Sequence, residues 1–585
     1  MTSLPNIPFL QFDFSSEKNS RNSIVFSNPT DVIWTNSFSE VSDCLKKVQQ
    51  AVDLGFYAAG YLSYEAAYAW RKRNKIYRDV TMPLLWFGLF ESPKSPFSHK
   101  EESFSVSDWT FNQTKDEYSQ SFNLIQQAIE RGETDQINYT GHFQTPFSGC
   151  AYTFYNQLKS AQQANYCAYM DLENIQVLSA SPELFFQVKN GKLIARPMKG
   201  TVHRGKTWKD DAINRQWLAA SEKNKLENDL ITELMIEEFK KVVEQPSIKV
   251  VDQHNVEKYP TVYQMTSTIQ GDIQEKVSII DILTTLFPCG SITGVPKQVA
   301  IDLIADLEKS PRGVYCGAIG YITPNNEAVF NVPIRTVVID KKKHLASYGA
   351  GGGITANSNM EEEFNEVLTK AKVLHYKQET FSLLETIGLI NGQYLVFDEH
   401  LKRLKSSAAY FDFPIDLQSI KHELICVKNK CKTGKWRVRL VVDREGDFQI
   451  EPQRLVSPMN HNVILAKKPI DSENVFHYHK TTNRTIYERF SKEDNCTYDV
   501  LLWNKNDEVT EFTTGNIVVE QEGELITPPV ACGLLPGTYR ERLIKKGIIK
   551  VRKILINDLH SCSKIWLINS VREWVPVQLF RNNIT

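Results

Sequence analysis

The chain has 585 residues, 42% of them hydrophobic and 23% charged, with 28 glycines and 24 prolines. These are the proportions of folded globular domains, so a collagenous, low-complexity or disordered polypeptide is excluded. Lysine plus arginine (68) and aspartate plus glutamate (69) cancel, so no basic nucleic-acid footprint is expected, and no run of about 18 uncharged apolar residues offers a membrane span.

The length predicts several domains or two large ones. The first 20 residues lack a basic region followed by an apolar run, so no secretory leader is expected. Ten cysteines are scattered; the closest two, Cys426 and Cys431, do not have zinc-ligand spacing. A reduced, cytoplasmic compartment fits this usage. The first two hundred residues mix aromatic-rich strands with short helices. A helix is predicted over 217–243, and a helix, a Pro/Gly loop (FPCGSITGVPK) and a second helix over 280–309. Residues 329–340 read as one strand, and 345–354 as a strand running into a glycine turn.

A helix follows over 358–374, with Ser358 and Glu361 spaced as a capping box. Phe364, Val367, Leu368, Ala371 and Leu374 make its apolar stripe, and Lys370 and Lys372 its opposite face. The boundary is placed near 375–381, giving domains 1–375 and 381–585. Beyond it come a strand from Phe381, an Asn391-Gly392 hairpin turn and an amphipathic helix over 397–404. Strands are expected over 436–442, 499–503 and 515–519.

Several side chains could carry chemistry. Glu363 and Glu366, three apart on a helix, project from one face and could hold a hard cation. Glu227 is a third acid on a helix. The 287–297 loop offers backbone N–H groups to an anion. Lys199, framed by Pro and Gly in RPMKGT (196–201), could act as a nucleophile if its site is dry. In the last third, Arg403, Lys480, Glu511 and the GLLPGT loop (533–538) stand out. Taken singly, each has an ordinary explanation: a solvated acid, a surface lysine, a capping loop.

Their order is more informative. SASPELF (179–185), RPMKGT (196–201), Glu227, GSITGVPK (290–297), RGVYCG (312–317), VPIR (332–335), GGGI (351–354) and EFNE (363–366) follow one another. Over 115–375 the chain therefore resembles the chorismate-utilising enzymes. That family includes anthranilate, isochorismate and salicylate synthases and aminodeoxychorismate synthase component I. The resemblance implies an α+β fold, a large anthranilate-synthase component I-like β-sandwich with helices. It implies Mg2+ held by Glu227, Glu363 and Glu366, and Glu183 as general acid. It implies chorismate held by Arg335, Tyr315, Gly317, Gly351 and the backbone at Thr293 and Gly294.

Lys199 stands where anthranilate synthases usually carry Ala, and Gln136 where isochorismate and salicylate synthases use a lysine base. Both favour amination at C4, with Lys199 attacking C2 to give a covalent adduct. Two departures are Asn224, where many relatives have an acid, and Gln264, where many have His. The chain has no Gly-x-Cys-x-Gly-x-Gln turn, so ammonia is expected from a separate glutamine amidotransferase subunit.

Residues 381–585 resemble the fold-type-IV pyridoxal 5'-phosphate (PLP) enzymes, an α+β family. The resemblance implies Lys480 as the cofactor lysine, Glu511 on the pyridine nitrogen, and Arg403, Gly537 and Thr538 on the phosphate. Asn483 and Arg484 after Lys480 match the pattern of aminodeoxychorismate lyase. At about 205 residues the segment is short for this fold. Together the halves imply synthesis of 4-aminobenzoate, a folate precursor; the alternative is an amino-acid aminotransferase at the C-terminal end.

Overall fold

The computed structural model describes residues 8–15, 23–70, 82–95, 102–375, 380–456, 460–490 and 497–580. The expected boundary falls partly on 376–379, and the start of the chain on 1–7, outside the described residues, as does Cys496. The chain divides into two compact units. One is Met1–His203 with Arg215–Gln378; the other is Arg204–Asn214 with Glu379–Thr585.

The first unit is built on two ten-stranded sheets. In one, the long strands Gln136–Gly149 and Leu345–Thr355 pair along their length, followed by Thr336–Asp340, Ile175–Ser181, Tyr166–Asp171 and Phe9–Phe14. The other runs from Met198–His203 through Val262–Asp272, Lys192–Arg196 and Leu184–Lys189 to Ala328–Asn331 and beyond. Leu10, Phe12, Met170 and Val177 of the first sheet share a buried cluster with Tyr61, Trp86, Phe90 and Ile319 of the second. This is the apolar layer of a β-sandwich.

Four predicted elements differ. Residues 329–340 form two strands, Ala328–Asn331 in one sheet and Thr336–Asp340 in the other. Pro333 cannot donate to a ladder, and Arg335 takes a left-handed φ of 53°. The helix over 217–243 is two helices, Trp208–Ala220 and Glu222–Phe239, separated by Ser221, whose side chain caps the second. The third starts at Met360, not Ser358: Asn359 accepts from the N–H groups of Glu361 and Glu362, while Ser358 donates to Glu363. The glycines 349–353 are no turn; they lie within strand Leu345–Thr355, paired with 138–142.

The second unit holds a four-stranded sheet, in which Leu383–Ile390 and Lys435–Val442 are central, packed with helices Phe397–Phe411 and Leu417–Lys430. Asn391 (φ 49°) and Gly392 (φ 72°) make the expected hairpin turn. A second sheet has eight strands, and pairing of Val509–Phe512 with Gly515–Gln521 closes six of them into a ring. Val463, Leu501, Phe512, Ile517 and Leu567 belong to one buried cluster of this sheet.

Residues 204–214 are an integral strap of this unit. Arg204 pairs with the fully buried Asp211 at 2.6 and 2.8 Å, lies 4.4 Å over the Tyr410 ring and donates to the Tyr410 carbonyl at 3.0 Å. Among the described residues, no helix is long and apolar enough to cross a membrane.

Candidate active sites

Lys199 sits in strand Met198–His203, whose register to Val262–Asp272 slips between Met198 and Thr201. Gly200 makes the slip with φ 85°, and a Cβ there would meet Asn224 at 2.9 Å. Gln264 braces this bulge: it accepts from Thr201 Oγ1 at 2.8 Å and donates to the Gly200 carbonyl at 3.0 Å. Asn224 donates to Ser221.

The glycine strand is the floor of the site. A Cβ at Gly353 would come within 2.3 Å of Gln136 Nε2 and 2.9 Å of Lys199 Nζ, and one at Gly352 within 2.7 Å of Glu363 Oε2. A side chain at either position would therefore displace these groups. Gly351 abuts the Tyr139 carbonyl, and Gly349 the Tyr315 ring. Among the described residues, the buried Gln136 Oε1 finds no hydrogen-bond partner.

The charges are strongly perturbed. Burial pushes the Lys199 amine below the ordinary lysine range; Lys370 adds to this, while Glu227, Glu183 and Glu366 oppose it. Glu183 is 3% exposed and accepts from Ser291 Oγ at 2.6 Å. Burial raises it to about 7, against the pull of Ser291 and Lys199. Burial also raises Glu363, with Glu366 adding repulsion. Lys370 holds Glu366 below the usual carboxylate range at 2.7 Å, and also donates to the Gly351 carbonyl at 2.7 Å. Lys370 therefore belongs to this site rather than to an opposite face.

Glu363, half-buried, and Glu366, whose side chain is exposed, repel one another, and a divalent cation would relieve that repulsion, which fits Mg2+, an ion content with one or two carboxylates. Glu227 is the third acid, half-buried, with Lys223 at 3.9 Å. Among the described residues, the three side chains whose ligand atoms lie within 4.8 Å of one another are His422, Glu423 and Cys426, not the three glutamates.

The predicted substrate residues are partly gathered. The Thr293 carbonyl accepts from Asn138 N at 2.7 Å, and Gly294 pairs with Ile137 at φ 155°, a Cβ there meeting the Gln136 carbonyl at 2.0 Å. Arg335 donates to the Lys370 carbonyl at 2.8 Å, and its charge acts on Glu366. Gly317 instead rests against the Leu62 carbonyl. Sequence reasoning missed Arg312. It grips Glu308 at 2.7 and 2.9 Å and donates to the carbonyls of Ile292 and Asn138, clamping the Thr293 loop to the strand of Gln136. The Glu308–Arg312 and Glu366–Lys370 spacings of four residues were the available signals.

In the second unit, a cavity of about 640 Å3 is lined by all five predicted cofactor residues: Arg403, Lys480, Glu511, Gly537 and Thr538. Burial, with Arg403 and Arg484, lowers Lys480 to about 8. Burial raises Glu511 to about 8, although Tyr487 donates to it at 2.9 Å and Asn516 at 3.2 Å. Arg403 grips Glu385 at 2.6 and 2.9 Å; His400 bonds Glu385 at 2.5 Å and Thr538 at 3.2 Å. Thr538 opens helix Thr538–Lys545, and a Cβ at Gly537 would meet Asn516 Oδ1 at 1.9 Å. PLP fits these residues: a buried acid poised for a cationic ring nitrogen, an amine at about 8, and an arginine beside a helix N-terminus for a phosphate.

His479 precedes Lys480. Its Nε2 meets the Lys206 carbonyl at 3.2 Å and its Nδ1 the Ser407 hydroxyl at 3.0 Å. Burial lowers it to about 3, so it is a neutral imidazole with the proton on Nε2. Glu385, His400, Tyr487 and Asn516 were not singled out from the sequence; the three-residue spacing of His400 and Arg403 was the one local signal.

The two-sheet unit with this lysine–carboxylate site is that of a chorismate-binding enzyme, and the chain belongs to that family, whose model matches residues 11–376. A second model, amino-transferase class IV, matches residues 382–580. Among relatives, aminodeoxychorismate synthase component 1 of Salmonella typhimurium is 34% identical over 301 residues, 51% of this chain and 64% of that protein. A probable chloroplastic aminodeoxychorismate synthase of Oryza sativa is 37% identical over 269 residues, 45% of this chain and 30% of the relative. The chain thus spans less than two thirds of the length of these relatives. Anthranilate synthase component I from Streptococcus pneumoniae shares the fold, with a TM-score of 0.54 at 20% identity, over 64% of this chain and 94% of that one.

Proposed function

We propose that the chain makes 4-aminobenzoate, a folate precursor, in two reactions. The first unit aminates chorismate at C4; the second eliminates pyruvate from the 4-amino-4-deoxychorismate so formed. The observation that carries this reading is a half-buried lysine whose charge acts on a buried acid in the first unit. Lys199 is depressed and Glu183 raised to about 7 beside it.

In the amination, the neutral Lys199 amine adds to C2 while the C4 hydroxyl leaves as water, taking the proton of Glu183. Ammonia then adds at C4 and the lysine amine departs from C2, the proton shed by the new amine returning to Glu183. The net reaction is chorismate plus ammonia to aminodeoxychorismate plus water. The open acceptor of Gln136 beside Lys199 suits an incoming ammonia. Thr293, Gly294, Tyr315, Gly351 and Arg335 hold the substrate. Mg2+ on Glu227, Glu363 and Glu366 would supply positive charge for the ring carboxylate.

In the second unit, PLP bound by Lys480, Glu511, Arg403, Gly537 and Thr538 would supply an electron sink for the elimination. The Lys480 amine, at about 8, can take up and return a proton near neutrality. The ammonia comes from a separate glutamine amidotransferase, in the cytoplasm.

The test is to incubate the purified chain with chorismate, ammonium, Mg2+ and PLP and weigh the products. Equal amounts of 4-aminobenzoate and pyruvate are expected, with glutamine inert unless an amidotransferase is added. Anthranilate would overturn C4 amination. Accumulated aminodeoxychorismate with exchange between an amino acid and a keto acid would mark the C-terminal unit as an aminotransferase.

A further inference from the structure

Cys426 and Cys431, the closest cysteines in the sequence, are turned apart by helix Leu417–Lys430 of the second unit. Cys431, which caps the helix, is buried in the core with Ile420, Leu424 and Val427, whereas Cys426 is half-buried. At about 100° of turn per residue, Glu423, Cys426 and His422 fall within an arc of about 100° on one flank of that apolar stripe. Glu423 is half-buried and His422 exposed, so the arc runs from the edge of the core to water. There a histidine nitrogen, a carboxylate oxygen and the thiol sulfur lie within 4.8 Å of one another.

Among the described residues, no hydrogen bond or ion pair engages these three side chains. Their donors are nitrogen, oxygen and sulfur, one of each. Zn2+ takes all three types at about 2.0–2.3 Å, which places tetrahedral ligand atoms about 3.5 Å from one another. Closing from within 4.8 Å to that spacing is a movement of about 1 Å, within reach of side-chain torsions on a helix surface. Mg2+ prefers an all-oxygen shell, so this donor set discriminates against it.

We propose that His422, Glu423 and Cys426 bind one thiophilic divalent cation, of which Zn2+ is the type, with water in the fourth position. On binding, the Cys426 thiol gives its proton to solvent and the sulfur becomes a thiolate ligand, so affinity falls as pH falls. The ion joins residues one turn apart, His422 and Cys426, and so fastens the C-terminal half of the helix. The site is independent of the chemistry at Lys199 and Lys480.

The test uses the full chain loaded with PLP and reads the metal at Cys426 itself, through the rate of alkylation by iodoacetamide followed by mapping of the modified peptides. A Zn2+ ion bound elsewhere in the chain does not enter that readout. Zn2+ should slow alkylation of Cys426 about tenfold or more, because a ligated thiolate is masked, and Mg2+ should leave it unchanged. Half-buried Cys562, which belongs to no such cluster among the described residues, is the internal control. His422→Ala alters an exposed position and keeps the thiol; it should raise the Zn2+ concentration for half-protection about tenfold or more, and Glu423→Gln should raise it as well. Alkylation of Cys426 that is indifferent to Zn2+, protection by Mg2+ equal to that by Zn2+, or half-protection at the same Zn2+ concentration in His422→Ala as in the wild type would each overturn the site.

Discussion

Glu183 illustrates what burial does to one residue. With Ser291 as its hydrogen-bond donor and Lys199 as the charge acting on it, it still titrates near 7. A general acid must carry its proton, so amination should decline as pH rises through about 7. Glu183→Gln should abolish the alkaline limb and slow amination by about 10²–10⁴-fold. Rates measured at constant free ammonia, with chorismate consumption as readout, check this. An unchanged alkaline limb in the variant would assign it to another group.

At the scale of elements, the strand Leu345–Thr355 decides the geometry of the first site. It carries three glycines at 351–353 because a carbonyl, a carboxylate and the Lys199 amine approach its backbone too closely for any side chain. Gly353→Ala should leave the sheet intact yet push Lys199 and Gln136 aside, at a cost of order 10²-fold in amination, as a displacement of about 1 Å does. Near-ultraviolet circular dichroism separates this from unfolding. The same strand shows where sequence reading stops. Its start was legible, as were the Asn391-Gly392 turn and the two half-buried lysines. The glycines read as a turn because composition does not reveal which neighbours press on a backbone. Residues 329–340 looked like one strand because hydrophobic alternation continues through Pro333 while the chain changes sheet. Lys370 was assigned by its polarity to the solvent face, although its spacing from Glu366 places both on one side of the helix. Glu385, which no motif marks, meets Arg403 only through tertiary folding.

For the molecule as a whole, the division of chain between units is not the division of sequence. Arg204–Asn214 lies inside the stretch matched by the chorismate-binding family, yet it is built into the second unit. Arg204 is 5% exposed and its partner Asp211 is fully buried. Arg204→Ala removes the guanidinium from that buried carboxylate, at about 3–5 kcal/mol. Calorimetric melting should show a lower transition for the variant, and PLP absorbance should be retained less tightly because Lys206 and His479 lose their anchor. A variant that melts and binds PLP as the wild type does would show that the strap is dispensable.

The strap has a consequence for how such a protein can be taken apart. Cutting the gene between the two family matches would send residues 204–214 away with the wrong product. The C-terminal fragment would then expose the Tyr410 and His479 rings that the strap covers. An independently encoded version would have to evolve its own cover for that patch, so here fusion is written into the tertiary structure and not only into the reading frame.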